Sequence, residues 1–168
     1  VVRTMWVSTF HSACVRILRA NGDVLGYPRQ FSIYDQADTT RLTGYVIRDL
    51  GLDSKRFTPR GVHAIISNWK NELVMPEQAL ASARNPREQT AAIVYLHYQR
   101  TLKAFNAVDL DDLIMQPVKL LQEHADILEK WQNRIRYLLV DEYQDTNTSQ
   151  YELLANCSIK PLEVLLST

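Results

Sequence analysis

Two adjacent carboxylates, Asp141 and Glu142, close the short apolar run Tyr137-Leu138-Leu139-Val140. Side by side, such groups can divide labour on a nucleotide phosphate. One holds a hydrated Mg²⁺ through oxygen, and the other orients or deprotonates an attacking water. The run before them ends in a β-branched residue and is closed by polar ones, which predicts a buried strand that leaves its sheet at Asp141. Catalytic groups of open α/β sheets sit at that edge. A core strand followed by a solvated acidic turn accounts for the same residues. Thr9-Phe10-His11-Ser12 is a second candidate, because free amides and hydroxyls at a helix start suit phosphate oxygens, and Arg16 and Arg19 add charge further along. A capped amphipathic helix with a basic solvent face explains this stretch equally well. Trp69-Lys70-Asn71 combines an aromatic, a cation and an amide that can stack on bases or grip phosphates, although Trp69 also continues an apolar stripe. Asp109, Asp111 and Asp112 read as the first turn of a helix, where the macrodipole favours negative charge.

These groups need elements to hold them. Residues 5–9 predict a strand, followed by a helix from Phe10 with Ala13, Cys14, Ile17 and Leu18 on one face, capped by Ser8 or Thr9 and stopped at Asn21-Gly22. Phe31-Ser32-Ile33-Tyr34 reads as a brief extended piece, and Asp35 caps a helix lined by Leu42, Tyr45, Val46 and Leu50. Thr58-Pro59, Met75-Pro76 and Asn85-Pro86 each open a helix with proline at its first position. The stripe of the first is Val62, Ile66, Trp69 and Leu73; the last is the longest, with Val94, Tyr95, Tyr98, Leu102 and Phe105 as core positions. Leu113, Ile114, Val118 and Leu121 continue a further helix that Pro117 should kink or end early. Residues 125–134 form another, with Leu128 and Trp131, and Thr146 or Asn147 caps one through Tyr151 and Leu154.

The fold class expected is therefore mainly α with a small α/β part. A long helical block separates the strands at 5–9 and 137–141, too long for a simple crossover. It reads as a helical subdomain, residues 23–134, inserted into an α/β domain represented by residues 1–22 and 135–168.

Composition narrows the class. Lys plus Arg (19) offsets Asp plus Glu (19), so any nucleic-acid site must be local. Hydrophobic content of 46% with three Trp and eight Tyr fits a soluble globular chain. The apolar stretches fall short of a membrane span and no signal sequence opens the chain, which favours the cytoplasm. Cys14 and Cys157 make no disulfide framework, and His11, His63, His97 and His124 show no zinc spacing. The opening Val1-Val2, without an initiator Met, suggests a piece of something longer.

Residues 8–19, Ser-Thr-Phe-His-Ser-Ala-Cys-Val-Arg-Ile-Leu-Arg, closely resemble a motif of the UvrD/Rep/PcrA group of superfamily 1 DNA helicases. The same order holds for Phe31-Ser32-Ile33-Tyr34-Asp35, Lys70-Asn71-Glu72-Leu73, Asp109-Leu110-Asp111-Asp112-Leu113-Ile114 and the stretch from Val140 to Asn147. The resemblance implies a fragment of an ATP-driven motor that translocates on single-stranded DNA and separates duplexes in repair or replication. It comprises part of an incomplete P-loop NTPase (RecA-like) domain and the helical subdomain near the duplex junction. By resemblance, Asp141 holds Mg²⁺ with ATP, Glu142 is the base for water attack, and Gln144, with Asp145, links the nucleotide site to the DNA path. Thr9, Phe10, His11 and Ser12 match the motif that touches the single strand, and Lys70 and Asn71 become DNA-facing candidates. The remaining motor domains would be partners in the same polypeptide.

The sequence also departs from the pattern. No Gly-x-x-Gly-x-Gly-Lys-Thr loop occurs in these residues, so the isolated chain is expected not to hydrolyse ATP. Leu110 stands where Phe is common, and residues 155–168 lack the expected Gly-Asp-x-x-Gln-Ser-Ile-Tyr motif. Two other readings stay open: a noncatalytic helical module binding DNA or protein, and another Mg²⁺ nuclease or phosphohydrolase.

Overall fold

Side-chain caps and prolines set most of the helix starts where the sequence predicts them. In the computed structural model, which describes residues 5–158, α1 (Phe10–Asn21) begins where the Thr9 hydroxyl accepts from the Ser12 amide. It ends at Gly22, and a 3₁₀ turn (Gly22–Leu25) closes on Gly26, whose left-handed φ of 80° is tolerable without a Cβ. β1 (Ser32–Tyr34) leads into α2 (Gln36–Asp49), capped reciprocally by Asp35 and Asp38. α3 (Pro59–Asn71), α4 (Pro76–Ser82) and α5 (Pro86–Ala104) each start on a proline. β2 (Ala107–Asp109), α6 (Asp112–Glu123) and α7 (Ala125–Arg134) follow. A 3₁₀ turn (Tyr143–Asp145) then precedes α8 (Thr148–Cys157).

β1 and β2 pair in parallel, with Ser32 opposite Ala107, Ile33 opposite Val108 and Tyr34 opposite Asp109. α2 to α5 lie between these strands in sequence and share one core, centred on Ile47, Ile66, Ala91, Val94, Tyr95 and Leu102. A second core joins Cys14 and Ile17 of α1 to Val118, Leu121, Trp131 and Leu153. Trp131 fastens it further by donating its Nε1 hydrogen to Asn21 Oδ1 at 2.9 Å. Leu18, Tyr27, Phe31, Val108 and Leu113 form a third cluster. Within residues 23–134, α2 to α5 share the first core and α6 and α7 join α1 and α8 in the second, while Lys70 of α3 and Gln99 of α5 reach Asp112 of α6 and link the two.

Three expectations need correction. Neither 5–9 nor 137–141 forms a strand; the two described strands are β1 and β2. A single extended segment is not stable without a neighbour's hydrogen-bond ladder, and none pairs with either stretch among the described residues. Pro117 neither ends nor shortens α6, which runs to Glu123. There the burial of Leu113, Ile114, Val118 and Leu121 outweighs a backbone penalty of about 3 kcal/mol. Tyr45, Phe105 and Tyr151, read as apolar-face positions, are exposed. The first sits at the margin of its stripe and the second at a helix cap, where aromatic rings can keep one face in water.

Among the described residues, no helix is long and apolar enough to cross a membrane. The opening Val1-Val2 and the stretch after Ser158, where the family motif was expected, lie outside the described residues.

Candidate functional site

After α7, residues 137 to 140 form neither helix nor strand and pair with no described strand. Tyr137 is 90% and Leu139 64% exposed, whereas Leu138 and Val140 are half-buried. That alternation has the period of a strand whose outer face is uncovered. Asp141 and Glu142 follow in a bend and are both exposed. The Glu142 amide donates to Asp141 Oδ1 at 2.9 Å, and Glu142 itself takes a left-handed φ of 52°. For a residue with a Cβ this conformation is strained, and such strain clusters at functional turns.

The chain is regathered just downstream. The Asp145 amide donates to the Glu142 carbonyl at 3.0 Å, and the Thr146 hydroxyl donates to the Tyr143 carbonyl at 2.8 Å. Asn147 then caps α8, its Oδ1 accepting from the Gln150 amide at 2.9 Å while the Gln150 side chain accepts from the Asn147 amide. Gln144 and Asp145 are exposed on the intervening turn. The acids therefore sit on a solvent-facing bend anchored through α8, whose Leu153, Leu154 and Cys157 are buried.

Carboxylate oxygens are the hard donors that Mg²⁺ requires, and a site of one or two carboxylates completed by water and phosphate oxygens suits that ion. Among the described residues no group of three or more His, Cys, Asp or Glu side chains could hold a metal. The residues present thus fit Mg²⁺ brought with a nucleotide, not a metal held by protein alone.

At the start of α1, Thr9, His11 and Ser12 are exposed. The Thr9 hydroxyl donates to Ser12 Oγ at 3.1 Å and accepts from the Ser12 amide at 3.3 Å. Phe10 is half-buried against the second core, so its ring serves packing. One turn on, Ser12, Val15, Arg16, Arg19, Ala20 and Arg29 line a shallow groove. Its three guanidinium groups concentrate positive charge that the neutral total conceals. The Arg16 guanidinium lies 4.8 Å from the Trp6 ring centroid and that of Arg19 lies 5.9 Å from Phe31, which keeps both splayed over aromatic faces. Arg29 had no signal in the sequence beyond lying in a loop; only the fold brings it beside α1.

Lys70 and the acids of 109–112 sit quite differently from their expected places. The Lys70 ammonium is wholly buried, donating to Asp109 Oδ2 at 2.7 Å and lying 3.0 Å from Asp112 Oδ1. It offers no charge to a nucleic acid. Asp109 ends β2 and Asp112 is the first residue of α6, so only Asp112 lies in the first turn of that helix. Asp109 also accepts from the Tyr98 hydroxyl at 2.8 Å and the Asp112 amide at 2.7 Å, and Gln99 Nε2 reaches both oxygens of Asp112 at 3.0 and 3.1 Å. Burial alone would push the Asp109 carboxyl up, but the adjacent ammonium and these donors hold it below the usual carboxylate range. Asp112 goes the other way: burial and the nearby Asp109 charge raise it despite Lys70. Burial works against the Lys70 charge too, and the two carboxylates more than offset it, raising that pKa.

Asn71, next to Lys70, is half-buried and its Oδ1 accepts from Asn147 Nδ2 at 3.3 Å. Neither cysteine is primed for chemistry. Burial pushes the Cys14 thiol up to about 12, with a further contribution from Cys157, and burial pushes Cys157 up to about 11.

Comparison with known proteins adds a family. The family model for the UvrD/REP helicase N-terminal domain matches residues 1–165. "ATP-dependent DNA helicase UvrD1" of Mycobacterium tuberculosis (strain ATCC 25618 / H37Rv) is 52% identical over 156 residues, covering 90% of this chain and 20% of that protein. "ATP-dependent DNA helicase PcrA" of Staphylococcus epidermidis (strain ATCC 12228 / FDA PCI 1200) is 46% identical over 157 residues, with 92% and 22% covered. The protein of that name from Leuconostoc citreum is 44% identical over 154 residues, with 92% and 21% covered. The chain spans about a fifth of the length of these relatives.

Proposed function

We propose that this chain, which belongs to the UvrD/REP helicase N-terminal domain family, is part of an ATP-dependent DNA helicase that moves along single-stranded DNA and opens duplexes. The observation that carries the reading is the acidic bend. Asp141 and Glu142 stand exposed after the run Tyr137-Leu138-Leu139-Val140 and just ahead of a capped helix, in a chain whose relatives bear the name helicase. Residues 1–22 and 135–168 are assigned to a motor domain, and 23–134 to a helical subdomain inserted in it. The parent works in the cytoplasm, in DNA repair or replication.

Mg²⁺ bound with ATP would neutralise charge on the β- and γ-phosphate oxygens. Asp141 would hold it through a carboxylate oxygen. Glu142 accepts the proton of the water that attacks the γ-phosphate, and Gln144, one turn on, relays the state of the nucleotide. The two acids differ in their backbone setting, since Asp141 accepts from the Glu142 amide while Glu142 is exposed and has a left-handed φ of 52°.

DNA is met at α1. Thr9, His11 and Ser12 offer hydroxyls and an imidazole beside the exposed helix start, and Arg16, Arg19 and Arg29 supply the charge to hold successive phosphates. The rest of the parent polypeptide completes the phosphate cradle, and the isolated chain is inactive.

The test is Glu142→Gln in the full-length parent. Nucleotide binding should persist while DNA-stimulated ATP turnover falls at least a hundredfold, on the order of the contribution of a general base. Turnover at the unsubstituted rate would refute the assignment.

A further inference from the structure

The end of α3 is held from several directions. Lys70 is locked into the buried ion network, and Trp69 stacks on Tyr95 with ring centroids 5.9 Å apart. Leu73 takes a left-handed φ of 59°, its amide donating to the Lys70 carbonyl at 3.0 Å, while the Val74 amide donates to the Trp69 carbonyl at 2.8 Å. The Tyr95 hydroxyl then donates to the Val74 carbonyl at 3.0 Å. A leucine holds that backbone conformation only where its surroundings over-determine it.

From this fixed end Asn71 reaches to Asn147, the cap of α8. Both ends of the Asn147 amide are committed. Its Oδ1 accepts from the Gln150 amide and the Ser149 hydroxyl, each at 2.9 Å, while its Nδ2 donates to Asn71. Only the Tyr143–Asp145 turn and Thr146 separate this cap from Glu142, and that turn is itself pinned to the Glu142 carbonyl. The bond therefore joins the helical core of α2 to α5 to the acidic bend.

From this geometry we infer that Asn71 is a positioning residue, which sets the acidic bend through Asn147 and passes displacements of the helical core to it. The inference rests on the helicase reading and assigns Asn71 a task other than contact with DNA. An amide pair suits a coupling that must break and re-form, because it is neutral and directional and leaves no buried charge behind when broken.

The experiment uses the full-length protein with Asn71→Leu and Asn71→Asp. Leucine keeps the branching at Cγ and removes the acceptor; aspartate keeps an acceptor for Asn147 Nδ2 and adds negative charge. With Asn71→Leu, the ratio of DNA-stimulated to DNA-free ATP turnover should fall about fivefold, the scale of one hydrogen bond, with single-strand affinity unchanged. Asn71→Asp should retain most of the ratio. Amide exchange should accelerate at 143–150 in the leucine variant and stay as it was along α3. An unsubstituted ratio and exchange pattern in Asn71→Leu would overturn the inference. So would loss of DNA affinity in Asn71→Asp, which would mark a direct contact. Should the unsubstituted protein show no DNA-stimulated turnover, the helicase reading fails on its own, and the exchange pattern still decides the coupling.

Discussion

The chain carries two clusters of acids with opposite surroundings. Asp109 and Asp112 are buried, share one ammonium and receive hydrogen bonds from Tyr98, Gln99 and the Asp112 amide. Asp141 and Glu142 stand in the open on a bend with one strained residue. The first cluster uses its charge inside the protein; the second holds its charge at the surface. Both clusters are pairs of carboxylates, so the difference lies in what the fold brings alongside. A buried carboxylate must be answered by the protein itself, and here the answering group is Lys70.

Substitutions can break or sharpen this contrast. The largest effect is expected from Lys70→Ala, which leaves two buried carboxylates facing each other without a cation. Unfolding by denaturant should show a loss of about 3–5 kcal/mol. A loss smaller than that of an ordinary surface substitution would mean that water enters the network and the burial argument fails. Tyr98→Phe comes next. It keeps the ring in the core but removes one donor from the Asp109 carboxylate, for an expected loss of about 1.5–3 kcal/mol by the same measurement. The smallest effect belongs to the other cluster: Glu142→Gln, at an exposed side chain, should leave the thermal midpoint of the isolated chain unmoved. A clear rise or fall there would show that the acidic bend is structural after all.

How much of this was legible beforehand follows from the range of the forces involved. Local signals were readable. Asp35, Thr58 with Pro59, Asn85 with Pro86, and Asn147 start helices as predicted, because capping is settled within a few residues. The apolar positions Val94, Tyr95, Tyr98 and Leu102 are fully buried on the predicted face of α5. Long-range pairing was not readable. Lys70 and Asp109 meet across 39 positions, and nothing in either neighbourhood announces the other. Arg29 joins Arg16 and Arg19 for a similarly non-local reason. The segment 137–140 has the alternation of a strand, but a ladder needs a neighbour that local sequence cannot supply. The motif order that resembles the helicase family did identify the family, because several short patterns in sequence carry more information than any one of them.

The parallel pairing of Tyr34 with Asp109 has a consequence for ancestry and for folding. Because the strands run parallel, the polypeptide leaves for α2 after Tyr34 and comes back from α5 beside Ser32, at the other end of the same short ladder and about 8 Å away. A unit with neighbouring ends and its own interior can be grafted into a host, enlarged or exchanged without rerouting the surrounding chain. The cost falls on kinetics: this small sheet cannot close until the four helices between its strands have drawn together, so the doorway should be among the last parts to assemble.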